Sequence, residues 1–355
     1  MTAMGQDELL RVEHLKVDFR TEQGVVHAVD DVSFSLNRGE VVSIVGESGS
    51  GKSVSSMTLM GLTRSPNAEI SGTATLHDGT ELIGATDAQL RRIRGGRISM
   101  IFQDPMSALT PVYKVGDQIV EQIRAHEKVS KQAAKARAVD LLRRVGIPRP
   151  QERVESYPHQ FSGGMRQRVM IAMALSNSPE ILIADEPTTA LDVTIQAQIL
   201  NEIEDLRRET GVGVLLITHD LGVVAEVANR VVVMYAGRVV EQAELRELFK
   251  DPQHPYTWGL LGSIPRVDKE RPTRLPTIQG SPPSLLNPPQ GCHFITRCPH
   301  RFDKCPTEPE LAQRTSSRGH LDRCHLTPEQ KRELRVVNGA IGLPTDVVLD
   351  EKDAS

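Results

Sequence analysis

The chain has 355 residues, an apolar fraction of 39%, a charged fraction of 25% and a formal net charge of −4. That is an ordinary globular composition, long enough for one large or two ordinary domains, and its mildly acidic balance offers no basic face for nucleic acid. No apolar run approaches the roughly 18 residues that span a bilayer, and the start "MTAMGQDELLRVEHLKVDF" lacks the basic-then-apolar layout of a leader, so the expectation is a cytosolic protein that reaches a membrane only through partners.

In chain order, the first 36 residues alternate in polarity: "RVEHLKVDF" and "VSFSL" flank Gly24 and predict an antiparallel β patch. "VVSIV" (41–45) is continuously apolar, which predicts a strand buried on both faces. It runs into Gly46-x4-Gly51-Lys52-Ser53 and then a helix. Glycines there let backbone N–H groups turn toward phosphate oxygens, and the helix N-terminus adds positive dipole. Lys52 would reach the β- and γ-phosphates, and the Ser53 hydroxyl would ligate magnesium. The expected ATP-lining set is Gly46, Ser48, Gly49, Ser50, Gly51, Lys52, Ser53 and Val54.

"ISMIF" (98–102) predicts another buried strand, and the polar, helical pattern from about 106 predicts a helical subdomain reaching about 178. Within it, "FSGGMRQRVMIAMAL" offers Ser162 as an N-cap, while Gly163 and Gly164 leave the helix start uncovered. That makes a second anion site, separate from the first. "ILIA" (181–184) then delivers Asp185 as a magnesium partner and Glu186 as general base on an attacking water. "TIQAQILNEIEDLRRE" (194–209) places Ile195, Ile199, Ile203 and Leu206 on one helical face, and the runs beginning at Val214 and Val231 predict two more strands. Strands alternating with helices give the expected class, α/β with a mainly parallel sheet.

After residue 248 the character changes. Residues 263–291 hold seven prolines, which predicts an extended connector. The chain's four cysteines all follow, spaced Cys292-x5-Cys298-x6-Cys305-x18-Cys324. Disulfides suit the even count but not a cytosolic chain, and unrelated free thiols would be scattered rather than gathered. A metal site is the preferred reading, since four thiolates complete either a zinc or an iron–sulfur shell. Zinc sites favour C-x2-C pairs, which are missing, whereas the wider loops would wrap a four-iron cluster. His293, His300 and His325 lie close enough in sequence to substitute as ligands, with bland surface roles the alternative. The expected divisions are therefore 1–248 for the nucleotide-binding domain, 249–291 for the connector, 292–330 for the cysteine segment and 331–355 for a polar tail.

The order of phosphate loop, Ser-Gly-Gly segment and, about twenty residues later, the Asp185–Glu186 strand resembles the ABC ATPase family, whose signature is that Ser-Gly-Gly segment. The resemblance implies a P-loop NTPase fold with a helical signature subdomain and magnesium-dependent hydrolysis of ATP. It also implies roles for three further residues. Gln103 in "IFQDP" matches the Q-loop glutamine that senses magnesium and the γ-phosphate, Asp192 in "TALD" the D-loop aspartate at a dimer interface, and His219 in "LLITHD" the switch histidine. Phe19 is the choice for the aromatic that stacks on adenine, with His27 the alternative and a core role for Phe19 the competing reading.

"HPYTWGLLGSIPR" (254–266) and the stretch from Ile278 through Cys298 are similar to the C-terminal extension of oligopeptide, dipeptide and nickel importer ATPases. Some of those ATPases carry a [4Fe–4S] cluster on this extension, so the resemblance implies one here, with Zn2+ as the alternative. The implied function is to power peptide import, with nickel or another small solute as the alternative cargo. A non-transport ABC ATPase is less favoured, because neither tandem cores nor a long coiled coil is evident. A P-loop protein without turnover is disfavoured by the intact Glu186 and His219. Each motif occurs once, so one chain carries two half-sites and must pair with itself or with a homologous ATPase. Two transmembrane permease subunits and an extracytoplasmic solute-binding protein are the other implied partners, and the implied location is peripheral, on the cytoplasmic face of the membrane.

Overall fold

The continuous apolar runs become the middle of one eight-stranded sheet, in a computed structural model that describes residues 4–104, 108–188, 193–264 and 277–337. In chain order the elements are β1 (Glu8–Thr21), β2 (Gly24–Asn37), β3 (Val41–Val45), α1 (Lys52–Leu59), β4 (Ala68–Leu76), α2 (Asp87–Ile93) and β5 (Ile98–Ile101). Helices α3 (Val115–His126), α4 (Lys131–Arg144), α5 (Pro150–Arg153) and α6 (Gly163–Ala174) come next, then β6 (Ile181–Asp185), α7 (Val193–Thr210), β7 (Gly213–Thr218), α8 (Leu221–Val227) and β8 (Arg230–Tyr235). The chain closes with β9 (Arg238–Glu244), α9 (Leu245–Lys250), α10 (Pro255–Gly262), β10 (Ala312–Gln313), β11 (Leu321–Asp322) and α11 (Pro328–Val337).

The large sheet has the order β10-β11-β9-β8-β3-β7-β6-β5. Its centre is parallel, with β3 between β7 and β8 and β6 between β7 and β5. Alternation along each central strand explains why no polar face is needed. Leu182, Val214 and Leu216 face the cluster built with α3, α4, α6 and α7, whereas Ile183, Leu215 and Ile217 face the smaller sheet. That smaller sheet is the expected hairpin, turning at Gly24, with β4 added to the other edge of β1. A strand at 68–76 was not among the sequence expectations, because "AEISGTATL" is largely polar; only Ala74 and Leu76 are fully buried. On α7, Ile199, Ile203 and Leu206 are buried, as the 3.6-residue period required. Among the described residues no helix is long and apolar enough to cross a membrane.

The C-terminal region is built onto this core. Helix α10 occupies part of the stretch expected to be a connector, started by Pro255 and capped by His254 Nδ1, which accepts from Tyr256 N at 3.1 Å. Strand β11 pairs antiparallel with β9, setting Leu321 against Gln242 and Asp322 against Glu241. Beneath the pairing, fully buried Glu241 accepts from the backbone N–H of Gln253 (2.6 Å) and His254 (2.8 Å) and lies 2.8 Å from His320 Nε2. Lys331 Nζ donates to Asp322 Oδ2 at 2.7 Å, with both side chains at most 1% exposed. Phe294 packs among Tyr235 and Tyr256, at ring separations of 5.2 and 5.5 Å.

The expected metal centre is corrected by this arrangement. Cys292, Cys298, Cys305 and Cys324 are free thiols around one small cavity that they share with His254, Phe294, Ile295 and Leu326. Yet among the described residues no three His, Cys, Asp or Glu side chains are disposed to hold a metal ion, so neither the [4Fe–4S] cluster nor its zinc alternative has a site. Burial pushes the Cys298 thiol up to about 12 and Cys324 up to about 11, so both are protonated near neutral pH. His293 reaches Ala236 O at 2.7 Å and His325 reaches Thr307 O at 2.9 Å, and the order comes from docking on β9 and the aromatic cluster.

Candidate functional site

Parallel strands deliver their following loops to one edge of a sheet, and ligands bind there. The loop after β3, Gln103 after β5, Asp185 and Glu186 at the end of β6, and His219 after β7 all emerge at that edge.

The loop is shaped by glycine at two positions. Gly46 has φ 154°, and a Cβ on it would come within 2.2 Å of Met234 O. Gly51 has φ 97°, and a Cβ would meet Ala28 O at 2.4 Å. Backbone thus crowds the inner side, while Gly49 and Ser48 are exposed on the outside. Lys52 opens α1, is 5% exposed, and donates from Nζ to Gly46 O (2.8 Å) and Glu47 O (2.9 Å). Burial lowers its pKa against the pull of Glu186, Asp185 and Glu47. A desolvated ammonium resting on carbonyls is poised for a phosphate, so the loop fits a nucleotide. Val54 packs on the core below, and the Ser50 side chain is buried.

The acids behave differently from one another. Ser53 Oγ donates to Asp185 Oδ1 at 3.0 Å, which unites the two expected magnesium partners across 132 residues. Burial raises the Asp185 pKa, Ser53 lowers it and Glu186 raises it further. Two adjacent protein oxygens suit Mg2+, which keeps waters and binds substrate phosphates rather than filling an all-protein cage. Glu186 stands at φ 46°, a left-handed position costly for a side chain and held by its N–H donating to Ile217 O at 2.8 Å. Gln103 Nε2 donates to Glu186 Oε2 at 2.9 Å, and His219 Nδ1 lies 3.2 Å from Oε1. Both carboxylate oxygens are therefore aimed.

Other expected residues stand apart. Ser162 caps α6, accepting from Met165 N at 3.3 Å; a Cβ on Gly163 would meet nothing within 4 Å, and one on Gly164 only Ile195 Cγ2 at 3.6 Å. That helix start is open, and the hydrogen bonds of Ser162 among the described residues are local. Phe19 is partly buried against the core of the hairpin sheet, and His27 Nδ1 lies 2.9 Å from Asp18 Oδ1. Asp192 lies outside the described residues. One residue was missed: buried Gln167 on α6 donates from Nε2 to Pro187 O at 2.6 Å, tying the Ser-Gly-Gly helix to the residue after Glu186. Its signal was a glutamine inside an otherwise apolar helical stripe.

Comparison with known proteins follows the same division. The family described as ABC transporter matches residues 29–189, and the oligopeptide/dipeptide transporter C-terminal region matches residues 240–305. The chain is 51% identical to the dipeptide transport ATP-binding protein DppD of Bacillus subtilis, covering 94% of this chain and 98% of that one. It is 50% identical to the oligopeptide transport ATP-binding protein OppD of Escherichia coli, covering 91% and 95%. It is also 56% identical to OppD of Mycobacterium tuberculosis, where it spans only 50% of that longer relative. Among solved structures, a dimeric post-hydrolysis ATP-binding cassette, MJ0796 bound to ADP and Pi, superposes with a TM-score of 0.60 at 28% identity, covering 67% of this chain and 99% of that one. CbiO1 from Clostridium perfringens, part of an ABC transporter complex, gives 0.57 at 29%, covering 69% and 91%.

Proposed function

This chain belongs to the oligopeptide/dipeptide transport ATP-binding proteins of the ABC transporter family, and from that premise we propose that it is the magnesium-dependent ATPase that drives peptide uptake across the cytoplasmic membrane. The observation that carries the reading is the strand-edge constellation: Lys52 on its carbonyls, Ser53 with Asp185, and Glu186 held by Gln103 and His219.

Lys52 exchanges its two carbonyl contacts for phosphate oxygens. Ser53 and Asp185, with Gln103 reaching in, would hold Mg2+, which when bound neutralises phosphate charge. Glu186 takes the proton from the attacking water, and its two partners restrict the carboxylate to one orientation. His219 answers to the γ-phosphate, and Phe19 is the residue proposed against adenine. Ser162, Gly163 and Gly164 form a half-site that a second ATPase chain would meet across the nucleotide. The dimeric cassette among the structural neighbours supports that reading. The ATPase partner would be a homologous subunit or a second copy. Membrane permeases and a solute-binding protein complete the proposed assembly, and the chain sits peripherally on the cytoplasmic side.

In proteoliposomes holding the assembled transporter, Lys52→Ala should abolish ATP-driven uptake of labelled peptide by removing the phosphate-facing charge. Peptide uptake at the unmutated rate would refute the proposal.

A further inference from the structure

Glu47 sits inside the phosphate loop, yet nothing in ATP binding calls for an acid there. Its charge is felt in the loop, since it is among the groups that pull up the Lys52 pKa. The C-terminal extension meets this side chain. Arg297 Nη1 donates to Glu47 Oε2 at 2.6 Å and Nη2 to Oε1 at 3.1 Å, a bidentate pair spanning 250 residues. The guanidinium is itself fixed. Its side chain is 4% exposed, Nε donates to Gln279 O at 2.9 Å, Nη2 to Ile278 O at 3.1 Å, and its centre lies 5.7 Å from the Tyr235 ring centroid. A second contact grips the same residue from the backbone: Glu47 N donates to the hydroxyl of fully buried Tyr256, at 2.9 Å. The carbonyl of that same peptide, Gly46 O, accepts from Lys52 at 2.8 Å, and the carbonyl of the next, Glu47 O, accepts from it at 2.9 Å. The extension therefore acts on the peptide that helps seat the catalytic lysine.

Resting on the nucleotide reading above, we propose that Arg297 and Tyr256 are positioning residues for ATP binding. The extension completes the phosphate loop by neutralising Glu47 and fixing its peptide. Without the guanidinium, a carboxylate would face the incoming triphosphate, and at the effective dielectric of a protein surface that repulsion weakens binding about tenfold.

The test is equilibrium binding of MgATP to the full-length chain. Arg297→Ala should raise Kd about tenfold. Adding Glu47→Gln to that variant should return Kd to within about twofold of wild type, because the unpaired charge is gone. A merely structural arginine would show no such rescue. A Kd unchanged in Arg297→Ala, or equally weak in the double variant, overturns the proposal. Where Arg297→Ala fails to fold, Tyr256→Phe keeps the packed ring and removes only the acceptor for Glu47 N. A severalfold rise in Kd is then expected, and an unchanged Kd overturns the proposal. Wild type and Lys52→Ala serve as controls. A wild type that binds no MgATP would overturn the nucleotide reading itself, whereas binding by wild type and Arg297→Ala alike overturns only this inference.

Discussion

At the edge of the parallel sheet, each side chain proposed to act follows closely on a strand end: Lys52 on the loop after β3, Gln103 after β5, Asp185 and Glu186 at β6, His219 after β7. In the C-terminal extension, the groups that matter find partners far along the chain, Arg297 on Glu47 across 250 residues and Arg323 on Asp31 across 292. The first region is specified locally, so a short pattern fixes its chemistry. The second is specified by docking, and its cysteine spacing misled because proximity in sequence does not set ligand geometry.

The hardest blow to the second region is removal of Lys331. It would leave the buried Asp322 carboxylate with only Arg314, at a longer 3.3 Å, as its cation, at a cost of up to about 3–5 kcal/mol. Urea unfolding of Lys331→Ala should show this loss, and a change below about 1 kcal/mol would mean that the extension is held chiefly elsewhere.

A smaller effect is expected in acid. Burial, with Lys331 nearby, brings the pKa of His254 down to about 3 from its ordinary 6.5. Folding therefore favours the neutral ring. The stability it confers is complete above the unfolded value and drains away as pH falls from 6.5 toward 3. His254→Asn keeps a capping acceptor and cannot titrate, so its melting temperature should vary less across that window. Identical pH profiles for the variant and wild type would remove His254 from the account.

The mildest test concerns the thiols. With Cys298 pushed up to about 12, its alkylation by iodoacetamide in the native chain near neutral pH should be at least about tenfold slower than in urea. Equal rates would show that the cavity is open and the thiol unperturbed.

The central strands were legible because 41–45 and 181–184 are apolar without interruption, which a sheet covered on both faces demands. The loop and acids were legible because phosphate chemistry constrains their spacing. β4 escaped because its outer face is polar, and α10 because the prolines that follow it drew attention from "PYTWGLLG", where Pro255 begins a helix. Glu47, Arg297 and Tyr256 could not be paired from the sequence at all, since nothing local in "GES" or "ITRC" announces a contact made only when the extension folds back.

The central claim is that turnover depends on a carboxylate poised at the end of β6. Steady-state ATP hydrolysis by Glu186→Gln in the assembled transporter, with ATP retention measured in parallel, tests it most directly. The account predicts retained ATP and a loss of turnover of about 10²–10⁴-fold. Undiminished hydrolysis would contradict it.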